Sequence, residues 1–475
     1  MKMSRTKHEI IIPDVEVCDA GAEGKAIVRV DGMVVFVPFV VPGDVIDLKI
    51  FKKKKNYAEG VAIAIKRPSP FRVPEACPHF GVCGGCKWQT MDYGEQLKYK
   101  QKQVRDNLER LGHIDTSSMQ PICGSDNIYN YRNKLEFTFS TKRWLATGEL
   151  RDDNDPGALG FHAPTVFDKV IPIEHCALQQ EPSNSIRNSV RQYAIENGLP
   201  FYDIRNHTGY LRNLVIRNSS TGEIMVIVIV AEDRPEWLNP LMDHIAKLFP
   251  EITSLLYIIN NKMNDSYGDL DVHTYRGKGF IVERMPRYDN DGFLHFKINP
   301  KSFYQTNSAQ AFKLYSFVAR NADLHGDETV YDLYTGTGTI AQFVASQCRK
   351  VVGIEYVEEA IADARENAKI NGIDNCTFYA GDMSKVFTDS FVATNGRPDV
   401  IITDPPRAGM HEKVVQQLLD IEARRIVYVS CNPATQARDL KMLSSKYSTI
   451  LIQPVDMFPH TQHVENIAVL TLNKV

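Results

Sequence analysis

Short β-branched runs bounded by turn residues fill the first 67 positions. Glu9–Ile12, Gly24–Val30, Met33–Phe39, Val45–Phe51 and Gly60–Ile65 read as strands. Asp31-Gly32 is a hairpin turn pair and Pro42-Gly43-Asp44 a second turn. Five short strands in that length predict a small closed β-barrel of the OB type over residues 1–67. A linker with three prolines, Lys66 to Pro74, ends it. Residues 68–300 then mix helices (Trp88–Leu111, Glu181–Asn197, Glu236–Phe249) with strands (Lys134–Ser140, Leu211–Asn218, Glu223–Val230, Ser254–Ile259), an α+β pattern without repeats. From 301 to 475 strands and helices alternate. The strands are Thr329–Leu333, Lys350–Ile354, Cys376–Ala380, Val400–Thr403 and Arg425–Val429. Helices Ile340–Gln347, Glu358–Ile370 and Ala434–Leu443 accompany them, and a hairpin of Thr449–Met457 and Asn466–Leu472 closes the chain. This predicts a doubly wound, Rossmann-like α/β sheet that binds ligands at the carboxyl ends of its strands.

Composition narrows the class. A chain of 475 residues exceeds one core and suggests about three domains. A hydrophobic share of 43% and a charged share of 24% are those of a soluble globular protein. Met1–His8 has no apolar stretch of the signal-peptide kind, and the most apolar runs, Val34–Val41 and Met225–Ala231, are too short to span a bilayer. We expect a cytoplasmic protein without membrane contact. There, nine cysteines argue for metal binding or catalysis rather than disulfides. The formal net charge of −3 gives no hint of nucleic acid, so any RNA-binding surface is local. Lys52–Lys55, in a barrel loop, suits that role; a solvated charge run is the bland alternative. Tyr129-Asn-Tyr-Arg-Asn-Lys134 is aromatic and basic, fit either to contact RNA or to pack as structural tyrosines.

Three constellations carry chemistry. In Arg425-Ile-Val-Tyr-Val-Ser-Cys-Asn-Pro433 a buried strand runs into a turn bearing Cys431, with Asn432 as N-cap and Pro433 as first residue of the next helix. A helix N-terminus favours a thiolate. An unshifted thiol is only a few per cent ionised at pH 7, which costs attack about 2 kcal/mol. Alone, Cys431 reads equally as a small core residue. The second constellation is Cys77-Pro-His-Phe-Gly-Val-Cys83-Gly-Gly-Cys86. Its glycines let the sulfurs turn toward one point, and a fourth ligand, Cys123 or Cys176, must come from afar; zinc and an iron–sulfur cluster both accept four thiolates. The third is Asp332-Leu-Tyr-Thr-Gly336-Thr-Gly338-Thr-Ile-Ala341, a glycine turn that by itself also fits a nicotinamide cofactor. Glu355 and Asp382 follow the next two strands. Asp404-Pro-Pro-Arg407 ends the fourth, and Acid-Pro-Pro there marks S-adenosylmethionine enzymes acting on planar nitrogen heterocycles or amides.

Together, Lys301-Ser-Phe-Tyr-Gln-Thr-Asn307, Asp332–Gly338, Asp404–Arg407, Val429-Ser-Cys-Asn-Pro433 and Pro454-Val-Asp-Met-Phe-Pro-His-Thr461 with His463-Val-Glu465 resemble the signature of RNA uracil-5 methyltransferases. The barrel resembles a TRAM domain. With the four cysteines, the chain resembles the iron–sulfur 23S ribosomal RNA branch over essentially its whole length. The resemblance implies S-adenosylmethionine as methyl donor, Cys431 as nucleophile and Glu465 as base. It places Gln305, Tyr334, Gly336, Gly338, Thr339, Glu355, Asp382 and Asp404 at the donor. For Thr339 and Asp382 a capping role is the structural alternative. It implies a 4Fe–4S cluster on Cys77, Cys83, Cys86 and Cys176, and a helix Trp88–Leu111 packed on the catalytic domain. Thr335 and Thr339 depart from the Cys and Asn of some relatives. The implied partner is ribosomal RNA with a flipped or unstacked uridine, bound by a monomer that does not act on DNA. Transfer RNA is the alternative substrate, and a non-catalytic RNA-binding protein with a degenerate fold the alternative class.

Overall fold

The computed structural model describes residues 10–474 except 147, 151, 153, 154, 165, 289 and 290. The expected start of the first strand at Glu9, and the Met1–His8 stretch, lie outside them. Strands Ile10–Ala20, Ala26–Val30, Met33–Val37, Val45–Lys53 and Tyr57–Arg67 close into a barrel. Asp31 and Gly32 take φ of 49° and 79°, the doubly positive turn that an Asp-Gly hairpin needs. The first strand runs far beyond its expected end, because a register shift between Ile12 and Val15 bends it around the barrel. Val17, Val28, Val35, Val37, Ile46 and Leu48 fill the interior.

A seven-stranded sheet follows, in the order His273–Gly277, Ser254–Ile259, Ile224–Val230, Leu211–Asn218, Lys134–Ser140, Ala158–His162, Val170–Pro172. Every residue of Ile224–Val230 is buried, since both faces of this sheet are covered. Val226 and Val228 face helices Ser183–Glu196 and Pro235–Leu248. Met225, Ile227 and Ile229 share a core with Val330 and Val427 of the catalytic sheet and with Ala311 and Leu314 of helix Ser308–Ala322. That core crosses the expected boundary at residue 300.

The last sheet has the order Cys376–Ala380, Lys350–Glu355, Thr329–Leu333, Val400–Thr403, Arg425–Ser430, Glu465–Leu472, Tyr447–Val455. Its first five strands are parallel, and Glu465–Leu472 runs antiparallel to both of its neighbours. The switch in strand order beside Thr329–Leu333 makes the crevice where a cofactor binds in such sheets. Helix Tyr93–Asn107, capped by Asp92, leaves its own neighbourhood and packs Val104 into the core beneath helix Pro433–Leu443. There Lys100 and Asp456, both 0% exposed, pair at 2.6 Å. Asp456 also accepts from the Tyr93 hydroxyl at 2.9 Å. Removing either charge would strand the other in the interior, at a cost of about 3–5 kcal/mol. Among the described residues no helix is long and apolar enough to cross a membrane.

Candidate active site

Four neighbouring strand ends build the site. Ser430 pairs with Asn466 in the antiparallel ladder. Continuing that register by one residue sets Cys431 opposite Glu465, on strands roughly 5 Å apart. Thr403 pairs with Tyr428 on the other side, so Asp404 emerges beside the same point, and Leu333 pairs with Thr403, which brings in the glycine turn. The turn after Asp404 is pinned to the helix that follows Cys431. Asn432 Nδ2 and Thr435 Oγ1 donate to the Arg407 carbonyl at 3.0 and 3.2 Å. Asn432 caps Pro433–Leu443 by accepting from Ala434 N at 3.1 Å, as its position in the sequence predicts.

The electrostatics differ from the helix-end expectation. Burial pushes the Cys431 thiol up to about 11; the Glu465 and Asp404 carboxyls add to this and the Arg407 guanidinium opposes it. A helix end contributes partial charge, whereas desolvation and two facing acids act at full strength. Glu465 is itself held above the usual carboxylate range by burial and then by Asp404, against Arg407. Burial and then Asp332 raise Asp404. The Arg407 side chain is exposed, and its position after Pro406 was the one sequence signal of its place here. His463 nearby is pushed down to about 4 by burial and then by Arg407, Lys100 and Arg132.

The residues expected at the donor converge on the crevice. Gly336 and Gly338 have φ of 56° and 75°, and a Cβ on Gly338 would stand 3.0 Å from Ala364 and Phe378. Glu355 accepts from Gly336 N at 3.2 Å and Val357 N at 3.0 Å, tying the second strand to the turn. Asp332, 1% exposed and pushed up to about 7 by burial, accepts from Thr335 and from Ala341 N. Tyr334 bends the chain with φ 64°. Thr339 opens its helix and lies 3.3 Å from the Tyr315 hydroxyl. Gln305 sits on the 301–307 loop, which reaches the glycine turn through Thr337 Oγ1 and the Phe303 carbonyl at 3.5 Å. Asp382 caps Met383–Val386 by accepting from Ser384 N and Oγ, the structural role the sequence left open. The 301–307 loop is set by Asn133, which donates to the Gln305 carbonyl at 3.0 Å, and by the buried Arg217, which donates to the Ser302 carbonyl at 2.9 Å. Asn133 belongs to the aromatic, basic stretch noted in the sequence and directly precedes the strand Lys134–Ser140; Arg217, on Leu211–Asn218 of the same central sheet, was not singled out.

Cys77, Cys83, Cys86 and Cys176 gather at one place. Cys77 Sγ lies 3.8 Å from the His175 carbonyl, and Cys83 and Cys176 pack on the same Ile171, Ile173 and Ala163. Burial and then the other thiols raise Cys83 to about 11; burial first, with the other thiols adding, raises Cys86 to about 12. Thiols in such company suit a cationic centre in chemistry. Their spacing is another matter: among the described residues no group of three or more His, Cys, Asp or Glu stands close enough together to hold a metal ion. Cys123 lies elsewhere, bonded through its backbone to Pro454 and Asp456. Tyr129 and Tyr131 are taken up in packing: Tyr129 stacks on His460, and Tyr131 is buried with its hydroxyl on the Pro459 carbonyl.

Residues 275–474 match the tRNA (Uracil-5-)-methyltransferase family and residues 12–63 the TRAM domain. An uncharacterized RNA methyltransferase of Bacteroides thetaiotaomicron is 58% identical over 457 residues, covering 95% of this chain and 99% of its own. One of Porphyromonas gingivalis is 52% identical over 469 residues, covering 97% and 100%. The solved tRNA (uracil-54, C5)-methyltransferase of Pyrococcus abyssi, in complex with S-adenosyl-L-homocysteine, superposes with a TM-score of 0.75 at 29% identity, over 96% of this chain and 100% of that one. The chain belongs to the S-adenosylmethionine-dependent RNA (uracil-5-)-methyltransferase family and carries its RNA-binding TRAM barrel.

Proposed function

We propose that this enzyme methylates carbon 5 of a uridine in 23S ribosomal RNA through a covalent adduct at Cys431, with Glu465 as the base. The observation that carries the reading is the pairing of Ser430 with Asn466, which sets Cys431 and Glu465 face to face beside Asp404. Carbon 5 of uracil is too weak a nucleophile for a sulfonium methyl group. Cys431 gives its proton to solvent, its Sγ adds to carbon 6, and the ring electrons move onto carbon 5 and its carbonyl as an enolate. Carbon 5 takes the methyl group while the donor's carbon–sulfur bond breaks, leaving S-adenosylhomocysteine. Glu465 removes the carbon 5 proton. That electron pair restores the ring double bond as the bond from Sγ to carbon 6 breaks.

Gln305, Tyr334, Gly336, Gly338, Thr339, Glu355, Asp382 and Asp404 form the donor site in this reading. Phe303, 66% exposed beside the glycine turn, offers a face on which an unstacked base can rest. The barrel of residues 1–67 holds RNA, the 68–300 region carries the cysteines, and residues 301–475 carry the chemistry. A 4Fe–4S cluster on Cys77, Cys83, Cys86 and Cys176 would supply a structural cross-link, since methyl transfer moves no net electron. A second reading, the same reaction on transfer RNA, is favoured by the Pyrococcus abyssi neighbour. Purified enzyme with methyl-labelled S-adenosylmethionine decides between them. Label in 5-methyluridine of unmodified 23S ribosomal RNA is expected. Label in unmodified transfer RNA alone would overturn the substrate assignment.

A further inference from the structure

The turn from Asp456 to Val464 joins the two antiparallel strands of the catalytic sheet and delivers Glu465. Residues outside that sheet grip its middle. The N–H groups of Lys87 and Trp88, the two residues after Cys86, donate to the His460 carbonyl at 2.8 and 3.0 Å. Gln96 Oε1 accepts from His460 N at 2.8 Å, and its Nε2 stands 3.2 Å from His460 Nδ1. Tyr129 stacks on the imidazole, with centroids 4.4 Å apart and planes at 24°. His460 is 2% exposed and has φ 65°, a left-handed conformation that a bulky residue keeps only where its surroundings over-determine it. The barrel joins the same knot. Trp88 Nε1 donates to the Gly24 carbonyl at 3.1 Å, and a Cβ on Gly24 would stand 2.7 Å from Lys87 Cβ and 3.2 Å from Gln462 Oε1. These contacts are not needed to close the hairpin, whose ladder already pairs Val455 with Glu465.

We propose that His460 is a positioning residue: through it the cysteine loop fixes the 456–464 turn and so aims the Glu465 carboxylate at the adduct on Cys431. The inference rests on Glu465 being the base of the proposed reaction. It assigns the cysteine loop a part in the last chemical step, proton removal and release of Cys431. Attack and methyl transfer precede that step and do not pass through His460.

The test compares wild type, Glu465→Gln, His460→Ala and His460→Asn on a denaturing gel with methyl-labelled donor and an RNA substrate. Amide exchange of the 456–465 peptide is measured in parallel. His460→Ala is expected to accumulate methyl-labelled protein–RNA adduct at least tenfold over wild type, and to lose exchange protection in that peptide while the parallel strands keep theirs. His460→Asn tolerates the left-handed backbone and offers an oxygen to Gln96, so it should return both readouts most of the way to wild type. If His460→Ala fails to fold, Tyr129→Leu removes only the stack and carries the same expectation in smaller degree. Stalling by Glu465→Gln but not by a folded His460→Ala, or lost activity in His460→Ala without adduct, overturns the inference. Failure of Glu465→Gln itself to stall overturns the base assignment, and the inference with it.

Discussion

Cys431 combines a helix N-terminus, which favours its thiolate, with burial and two facing carboxyl groups, which oppose it, and burial weighs most. With the thiol pushed up to about 11, its thiolate fraction is proportional to hydroxide across the neutral range. Alkylation of Cys431 by iodoacetamide, followed on its peptide by mass, should therefore climb about tenfold per pH unit from 7 to 9. A plateau near 8.5 would contradict this. Glu465→Gln removes a negative neighbour and so lowers the thiol pKa; alkylation at pH 8 should rise several-fold. Arg407→Ala removes the opposing cation and should slow it. The sequence made Cys431 and Glu465 legible as residues because each sits in a compact motif. It did not make their charge environment legible, because Asp404, Arg407 and Glu465 meet only through the order of strands in the sheet.

The readable elements were those long enough to show an apolar run or a helical period. Val400–Thr403, Cys376–Ala380 and Glu358–Ile370 stand where apolar runs and helical periodicity put them. Val170–Pro172 was missed because three residues carry no period. Helix Ser308–Ala322 was also missed, although Asn307 at its N-cap and Ala311, Leu314, Tyr315 and Val318 along one face were there to be read. Two elements carry predictions. Protein purified without air should be brown with broad visible absorbance from iron on thiolates, lost in Cys176→Ser and kept in Cys123→Ser. Stoichiometric zinc without iron would contradict it. Deleting residues 1–67 should weaken RNA binding and flatten its salt dependence, since basic residues such as Lys53 and Lys54 go with the barrel, and should leave donor affinity unchanged. Equal RNA affinity and salt slope in the truncated protein would contradict that role.

At the scale of the molecule, three regions distinct in sequence are knitted together. The central and catalytic sheets share one core, the Tyr93–Asn107 helix reaches past its own region, and Gly24, Trp88 and His460 link barrel, cysteine loop and the 456–464 turn. None of this was legible from periodicity, which reports whether a face is buried and not what buries it. The Lys100–Asp456 pair joins residues 356 positions apart, and no local pattern announces such a partner. The arrangement suits an enzyme that must hold a large RNA against a small catalytic centre.

The central claim is a covalent route in which Cys431 attacks and Glu465 releases. The most direct measurement is a denaturing gel of enzyme, methyl-labelled S-adenosylmethionine and unmodified ribosomal RNA fragment. Glu465→Gln keeps the shape of the carboxyl group but cannot take the carbon 5 proton, so a methyl-labelled protein–RNA adduct should accumulate and survive denaturation. Cys431→Ala and the double variant should form none. Normal turnover by Glu465→Gln, or an adduct in Cys431→Ala, would contradict the account.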